Sequence, residues 1–286
     1  MSASIDDTLE ETTTRLAAAG VPSPRPDAEL LVAHVLGLGR GALLAKAFTG
    51  TRIDDDDLAA LSALVLRREA REPLQHLTGE AFFRGLRLSV GPGVFIPRPE
   101  SEIVVQHAID ALTAVASPSP VAVDLGTGSG ALALAMATEV PHATVTAVEV
   151  SPLAFTWAEQ NRRAVGAENL RIVLADLADA LPELDGAVDV VISNPPYIPI
   201  GAIPRDPEVR RFDPELALYG GVDGLDVVRS LDATAWRLLR PGGLLVIEHG
   251  EQQAVAIRAL LTASGWRAIA HHRDLTGRDR ATTATR

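Results

Sequence analysis

The 286-residue sequence contains no cysteine, which excludes disulfides, thiolate metal ligands and a cysteine nucleophile. It holds a single lysine, Lys46, so its positive charge is carried almost wholly by arginine, and the formal net charge is −11. A balance that acidic argues against broad binding to a phosphate backbone, which needs a basic face. The short basic clusters Arg67-Arg68, Arg162-Arg163 and Arg210-Arg211 read as solvated helix or loop faces, and direct nucleic-acid binding is not expected. No apolar run reaches the ~18 residues of a membrane span. The start, Met1-Ser2-Ala3-Ser4-Ile5-Asp6-Asp7, is acidic and lacks the apolar core of a signal peptide, so the expected location is cytoplasmic, away from membranes.

The sequence is 47% hydrophobic and 22% charged, enough to build a sizeable core. Residues 1–79 read as a small helical bundle. Ser4 caps a first helix running to about Ala19, Asp27 opens a second, 42–48 form a short third, and Asp54 to Asp57 place carboxylates at the favourable end of a fourth. Residues 80–98 contain a short hairpin around Gly85 and read as a linker. From 99 to 286 the texture changes. A helix from 101 to 116 ends at Ser117-Pro118-Ser119-Pro120. Apolar runs at 121–125, 144–150, 170–175, 188–193 and 243–248 then alternate with helical patterns at 130–139, 152–165, 223–239 and 251–264. That alternation predicts an α/β domain with a doubly wound, Rossmann-like parallel sheet. Two final strand-like runs, 266–273 and 280–286, have no helix between them and predict a terminal antiparallel pair.

Two loops at strand ends carry candidate chemistry. The first strand runs into Gly126-Thr127-Gly128-Ser129-Gly130, whose glycines let backbone approach a ligand closely. Ligands of open α/β sheets lie at this edge. Glu149, ending the second strand, can accept both hydroxyls of a ribose. Asp176, after the third, can take the exocyclic amine of an adenine with Leu177 against its face, or can cap the next turn. These features suit a nucleotide-bearing cofactor, and Gly-x-Gly-x-x-Ala also meets a relaxed dinucleotide fingerprint, so NAD stays open at this point.

The fourth strand runs into Asn194-Pro195-Pro196-Tyr197. The prolines have nearly fixed φ and no N–H, so they stop the strand and hold a rigid loop with free carbonyls. Asn194 adds a side-chain acceptor. Amide and arylamine nitrogens are poor nucleophiles because the lone pair is delocalised. Asn194 Oδ1 and the Pro195 carbonyl can bind the two N–H groups, aim the lone pair at a sulfonium methyl, stabilise the charge growing on nitrogen and accept the proton lost. The Tyr197 ring can pack on the flat face of the target. Nothing here resembles the acid–base pair of hydride transfer, which weakens the NAD alternative.

The whole chain resembles the HemK/PrmC family of peptide chain release factor glutamine methyltransferases. The resemblance rests on Glu72-Pro73-Leu74-Gln75-His76-Leu77-Thr78-Gly79, Phe95-Ile96-Pro97-Arg98-Pro99-Glu100, the glycine loop with Asp124-Leu125 before it, and Asn194-Pro195-Pro196-Tyr197-Ile198-Pro199. It extends to Ala217-Leu218-Tyr219-Gly220-Gly221, Asp223-Gly224-Leu225-Asp226, Glu248-His249-Gly250 and Asp274-Leu275-Thr276-Gly277-Arg278-Asp279-Arg280. It implies methyl transfer from S-adenosylmethionine to the glutamine of the Gly-Gly-Gln loop of class I release factors, giving N5-methylglutamine. By position, Gly126, Thr127, Gly128, Ser129, Gly130, Glu149, Asp176, Leu177 and Asn194 would contact the cofactor. Phe95, Ile96, Pro97 and Arg98 would line the pocket, Asn194 to Tyr197 would bind the glutamine, and the helical domain would help dock the release factor. Three departures from many relatives, Ser101 for Thr, Leu177 for an aromatic residue and Asp213 for Glu, are not expected to touch the chemistry.

The alternative is an amino methyltransferase acting on adenine or guanine of RNA or DNA, which would have to extract a base from its stack with no evident basic-aromatic recognition region. A third reading, a non-catalytic nucleotide-binding module, leaves Asn194 and Tyr197 unexplained.

Overall fold

The computed structural model describes residues 3–286, which form two compact units: residues 3–80 with Arg205–Phe212, and Ala81–Pro204 with Asp213–Arg286. The first unit is built from α1 (Ile5–Ala18), α2 (Pro24–Val35), α3 (Arg40–Phe48), α4 (Asp55–Glu69) and α5 (Leu74–Thr78). Ser4 Oγ accepts from the Asp7 amide at 3.1 Å, and Asp54 Oδ1 from the Asp57 amide at 2.8 Å, so side chains satisfy N–H groups that α1 and α4 leave free. Helix α2 starts at Pro24, earlier than Asp27, because proline is pre-set for a first helical turn. Leu9, Leu16, Leu31, Val32, Leu43, Leu61 and Val65 close the core.

One sequence expectation fails here. Arg68 is not a solvated face but is 5% exposed, and its Nε donates to Asp27 Oδ2 at 2.8 Å. The Arg205–Phe212 excursion supplies further compensation within the same unit. Glu208 Oε1 accepts from Arg68 Nη1 at 3.0 Å and from Arg71 Nε at 2.7 Å, while Oε2 accepts from Arg71 Nη2 at 2.7 Å.

The second unit begins within the hairpin of β1 (Glu80–Phe83) and β2 (Leu86–Ser89) and continues with α6 (Ser101–Ala114), β3 (Val121–Leu125), α7 (Ala131–Glu139), β4 (Thr144–Glu149), α8 (Pro152–Val165), β5 (Leu170–Leu174) and β6 (Val188–Ser193). After α9 (Pro207–Phe212), which belongs to the first unit, come α10 (Glu215–Leu218), α11 (Asp226–Leu238), β7 (Leu239–Glu248), α12 (Ala254–Ala263), β8 (Arg267–Arg273) and β9 (Asp279–Thr285). The sheet order is β5-β4-β3-β6-β7-β9-β8, parallel through β7 and antiparallel for the last two strands. This is the doubly wound sheet with a terminal antiparallel pair that the sequence predicts.

Helices α6, α7 and α8 cover one face and α11 and α12 the other. Val228, Leu231, Ala235 and Leu238 of α11 are buried at helical spacing, the valine and the two leucines contributing roughly 1.5–3 kcal/mol each. Strand β7 starts before the predicted 243–248. The Pro241-Gly242 step is absorbed where the β6–β7 register shifts between Val188 and Val190, so a residue without an amide proton falls at an irregularity. Chain order leaves β3 toward β4 on one side and toward β6 on the other, which makes the crevice at the carboxyl ends of these strands the topological switch point. Among the described residues no single helix is long and apolar enough to cross a membrane.

Candidate active site

Four strand ends meet at the switch point: those of β3, β4, β6 and β7. The loop after β3 turns through Gly126 (φ +79°), Gly128 (φ +58°) and Gly130 (φ +86°). A Cβ on Gly126 or Gly128 would meet nothing within 4 Å, so the loop presents bare backbone to open space, as a ligand lying on it requires. Thr127 Oγ1 donates to Asp124 Oδ2 at 2.6 Å, and the Gly128 amide to Glu149 Oε2 at 2.7 Å. Glu149 Oε1 accepts from the Ser151 amide at 2.8 Å. The carboxylate that the sequence assigns to a ribose thus also fixes the glycine loop, while keeping lone pairs to spare.

Asp124 is fully buried, and burial pushes its carboxyl up to about 7, the bond from Thr127 opposing it. The Ala133 backbone amide of α7 also pulls against that rise. The glycine loop, with open space where a Cβ on Gly126 or Gly128 would stand, fits a cofactor lying on it.

Asp176 and Leu177 follow β5, beside the end of β4. Asp176 is exposed, and its Oδ1 accepts from the Ala178 amide at 2.9 Å, the turn-capping role. Ile96 and Val94 pack with Val90 and Ala154 at the start of α8. Arg98 lies over the Phe95 ring at 4.8 Å, and its Nη2 donates to Asp213 Oδ2 at 2.5 Å. The polar contact the structure gives Arg98 is with Asp213, not with the glycine loop. Burial pushes the Asp213 carboxyl up to about 6 against the pull of Arg98.

After β6, Ser193 Oγ donates to the Leu125 carbonyl at 2.6 Å and ties this strand end to that of β3. The Asn194-Pro195-Pro196-Tyr197 turn follows. It is braced from behind. The Ile198 amide donates to the Leu218 carbonyl at 2.8 Å and the Gly220 amide to the Ile198 carbonyl at 2.9 Å. Gln253 Nε2 donates to the Tyr197 carbonyl at 3.0 Å and to that of Gly224 at 3.2 Å. A Cβ on Gly220 would collide with the Pro196 carbonyl, and one on Gly224 with that of Tyr197. Among the described residues nothing donates to Asn194 Oδ1 or to the Pro195 carbonyl, so both are available as acceptors.

Four residues with site contacts escape a reading by motif. Ser101, expected to be a neutral departure, has its Oγ 3.5 Å from Asn194 Nδ2 and donates to Glu248 Oε2 at 2.6 Å. Asp213, expected to be neutral too, holds Arg98. Asn161 is fully buried, and its Nδ2 donates to the carbonyls of Ser129 at 2.9 Å and Ser89 at 3.0 Å. Gln253 braces Tyr197.

Residues 7–79 match the PrmC N-terminal domain family and residues 99–202 the methyltransferase small domain family. The chain is 51% identical over 280 residues to a release factor glutamine methyltransferase of Streptomyces coelicolor, covering 96% of each chain. It is 40% identical over 262 residues to a 4-amino-L-phenylalanine/4-methylamino-L-phenylalanine methyltransferase of Streptomyces pristinaespiralis, covering 90% of this chain and 87% of that one. A crystal structure of a methyltransferase from Pyrococcus furiosus superposes with a TM-score of 0.51 at 22% identity, over 78% of this chain and 96% of the other, and supports the fold.

Proposed function

The chain belongs to the release factor glutamine methyltransferase family, and we propose on that premise that the strand ends of β3 to β7 form the S-adenosylmethionine and glutamine site. The enzyme methylates a release-factor glutamine. The observation that carries the site assignment is the pair of undonated acceptors, Asn194 Oδ1 and the Pro195 carbonyl, at the switch point of the sheet.

S-adenosylmethionine, when bound, supplies an electrophilic methyl on a sulfonium. Gly126 to Gly130 form its bed, Glu149 accepts from the ribose, and Asp176 with Leu177 flanks the adenine. Asn194 Oδ1 and the Pro195 carbonyl each take one N–H of the glutamine carboxamide. That orients the nitrogen for in-line transfer and meets the positive charge developing on it with fixed dipoles in place of mobile water. As the N–CH3 bond would form, the S–CH3 bond would break with its electron pair left on sulfur, giving neutral S-adenosylhomocysteine, and the nitrogen would lose one proton past these acceptors to water. Tyr197 packs on the planar amide, and Pro195 and Pro196 keep the turn from relaxing. The glutamine is that of the Gly-Gly-Gln loop of class I release factors, and the helical first unit contributes to their docking.

The testing experiment is methyl transfer to an intact purified release factor, mapped by tandem mass spectrometry, with Asn194→Ala alongside. One methyl on the Gly-Gly-Gln glutamine, lost by roughly 10²–10³-fold in the variant while cofactor affinity holds, is the expected result. The same acceptor pair suits an arylamine, the substrate type in the name of the 40%-identical relative, so free 4-aminophenylalanine belongs in the same assay. Transfer to the amino acid alone would overturn the glutamine reading. No transfer to either, with cofactor bound, would redirect the search to amino groups of RNA and DNA.

A further inference from the structure

The parallel register pairs Ser193 with Ile247, so the next residues, Asn194 and Glu248, leave their strands side by side. Ser101, the first residue of α6, reaches the same point. Its Oγ donates to Glu248 Oε2 at 2.6 Å and lies 3.5 Å from Asn194 Nδ2, and the Asn194 side chain also hydrogen-bonds the Glu248 carboxyl. Ser101 is 3% and Glu248 1% exposed, so water does not compete.

A carboxamide has two ends of nearly equal size and opposite hydrogen-bonding sense. The proposed chemistry works with one orientation only: Oδ1 toward the substrate. From this geometry we infer that Ser101 and Glu248 are positioning residues that set the orientation of the Asn194 carboxamide. The inference rests on the role proposed for Asn194.

An ionised Glu248 only accepts. It accepts the hydrogen bond that the Ser101 hydroxyl donates, which leaves the Ser101 oxygen as an acceptor as well. Two acceptors then face Asn194, and Nδ2 alone satisfies them, so Oδ1 turns outward. A protonated Glu248 can donate to Ser101, which frees the Ser101 proton to point at Asn194. The flipped carboxamide is then equally well bonded and offers the substrate a donor where an acceptor is needed.

Burial pushes the Glu248 carboxyl up to about 7, against the bond from Ser101 and the charge of Arg280 on β9. Glu100, ahead of α6, adds to the rise, and Tyr197 faces the same space. His249, next along the chain, is buried with its pKa lowered and is neutral. Both protonation states are therefore reached near neutral pH, and turnover depends on the ionised one.

The test measures kcat and KM for release factor against pH in the full-length enzyme, for wild type, Ser101→Ala, Ser101→Thr, Glu248→Gln and Asn194→Ala, with cofactor titration to establish folding. Wild-type kcat is expected to fall as pH drops through about 7 and to level at about half its high-pH value, the share of Asn194 that still presents Oδ1 when both orientations are equally bonded. Ser101→Ala removes one of the two acceptors that face Asn194 Nδ2 and should lower kcat a few-fold with cofactor affinity unchanged, and Ser101→Thr should restore it. Glu248→Gln, whose amide can donate or accept, should be slower and lose the acidic limb. If Asn194→Ala is inactive while Ser101→Ala and Glu248→Gln match wild type in rate and pH profile, the positioning inference is wrong and the role of Asn194 stands. If Asn194→Ala turns over normally, that role fails instead. Should Glu248→Gln not fold, the Ser101 pair decides: no loss in Ser101→Ala overturns the inference.

Discussion

The Asn161 side chain donates to the Ser129 carbonyl at 2.9 Å, so a residue of α8 holds the glycine loop from behind. The same side chain bonds both backbone groups of Ser89, accepting from its amide at 2.7 Å, and thereby joins β2 to the loop. Asn161→Ala leaves a buried N–H and two carbonyls unpaired and should lower stability by ~1–3 kcal/mol. The loop would also lose its brace, so cofactor affinity should fall more than kcat. Denaturant unfolding together with cofactor titration checks both, and an unchanged affinity would show that the loop keeps its shape unaided.

Glu149 accepts from the Gly128 and Ser151 amides through different oxygens. Glu149→Ala therefore removes the acceptor proposed for the ribose and the clamp on the loop together, and should weaken cofactor binding by at least ~10-fold with a smaller effect on the release-factor KM. Glu149→Gln tests whether both carboxylate oxygens are needed. It keeps one carbonyl acceptor but turns the other oxygen into a donor facing an amide, so it should bind no better than the alanine variant. Calorimetric titration reads both, and wild-type affinity in Glu149→Ala would remove the ribose assignment.

Burial raises the Glu248 carboxyl to about 7, and the sign of the resulting pH dependence follows from linkage. A carboxyl raised on folding stabilises the native state fully below its unfolded value of ~4.5 and loses that contribution as pH rises through the folded value. Glu248→Gln removes the loss. The variant should match wild type near pH ~4 and exceed it by up to a few kcal/mol near pH ~8, while being the slower enzyme. Asp124, raised to about 7 by burial, leaves a residual slope of the same sign in the variant. Denaturation midpoints across this range check the prediction. A less stable variant at high pH would mean that Ser101 and Arg280 more than offset the desolvation of the carboxylate.

The parts of the site that lie within one loop were readable in the sequence, because each follows a strand as a short uninterrupted motif. Gly126 to Gly130 need backbone freedom, and Asn194 to Tyr197 need a rigid stop, and both requirements dictate residue type locally. Ser101 and Glu248 stand in recognisable segments, but nothing local shows that they meet Asn194. They meet through a helix start and a strand end far apart in the chain, and nothing near Ser101 distinguishes it from a helix-opening serine. The alternation of strands and helices gave the sheet and its terminal hairpin, yet the start of β7 was hidden, since Pro241-Gly242 reads as a turn unless the bulge against Val188 is known. Arg68 was misread for a related reason: its compensating charges, Asp27 and Glu208, come from distant segments, and a charge beside Arg67 at the end of a helix has the same sequence signature whether exposed or buried.

Glu208 takes two hydrogen bonds from Arg71 and one from buried Arg68. Burial tends to raise its carboxyl, but the bonds from Arg71 and Arg68 outweigh it and the pKa is lowered. Glu208→Ala leaves the buried Arg68 guanidinium with Asp27 and the Glu72 carbonyl as partners, and should destabilise the first unit by roughly 1–3 kcal/mol. Because the pKa is depressed, the stabilisation is present above the unfolded carboxyl value and fades as pH falls through the folded one, so wild type and variant should converge in acid. Unfolding midpoints give the energy, and limited proteolysis at residues 205–212 shows whether the excursion has come loose. Persistent protection there would mean that Arg211, which donates to the Ala70 carbonyl at 2.9 Å, suffices to hold it.

Gly224 and Gly166 have nearly the same left-handed backbone, φ +77° and +74°, but different surroundings. A Cβ on Gly166, at the end of α8, meets nothing within 4 Å, whereas one on Gly224 collides with the Tyr197 carbonyl and approaches Gln253 Nε2 at 2.8 Å. Both alanine variants incur the conformational penalty of a non-glycine residue at positive φ, roughly 1 kcal/mol. The steric term falls on Gly224→Ala alone, and backbone cannot yield as a flexible side chain would. The turn carrying Asn194 and Pro195 should therefore shift, and a displacement on the order of 1 Å is enough to reduce turnover ~10²-fold. Gly166→Ala should lose stability and keep its kcat, and Gly224→Ala should lose both. Equal kcat in the two variants would mean that the 217–224 segment only packs beside the turn and does not hold it in place.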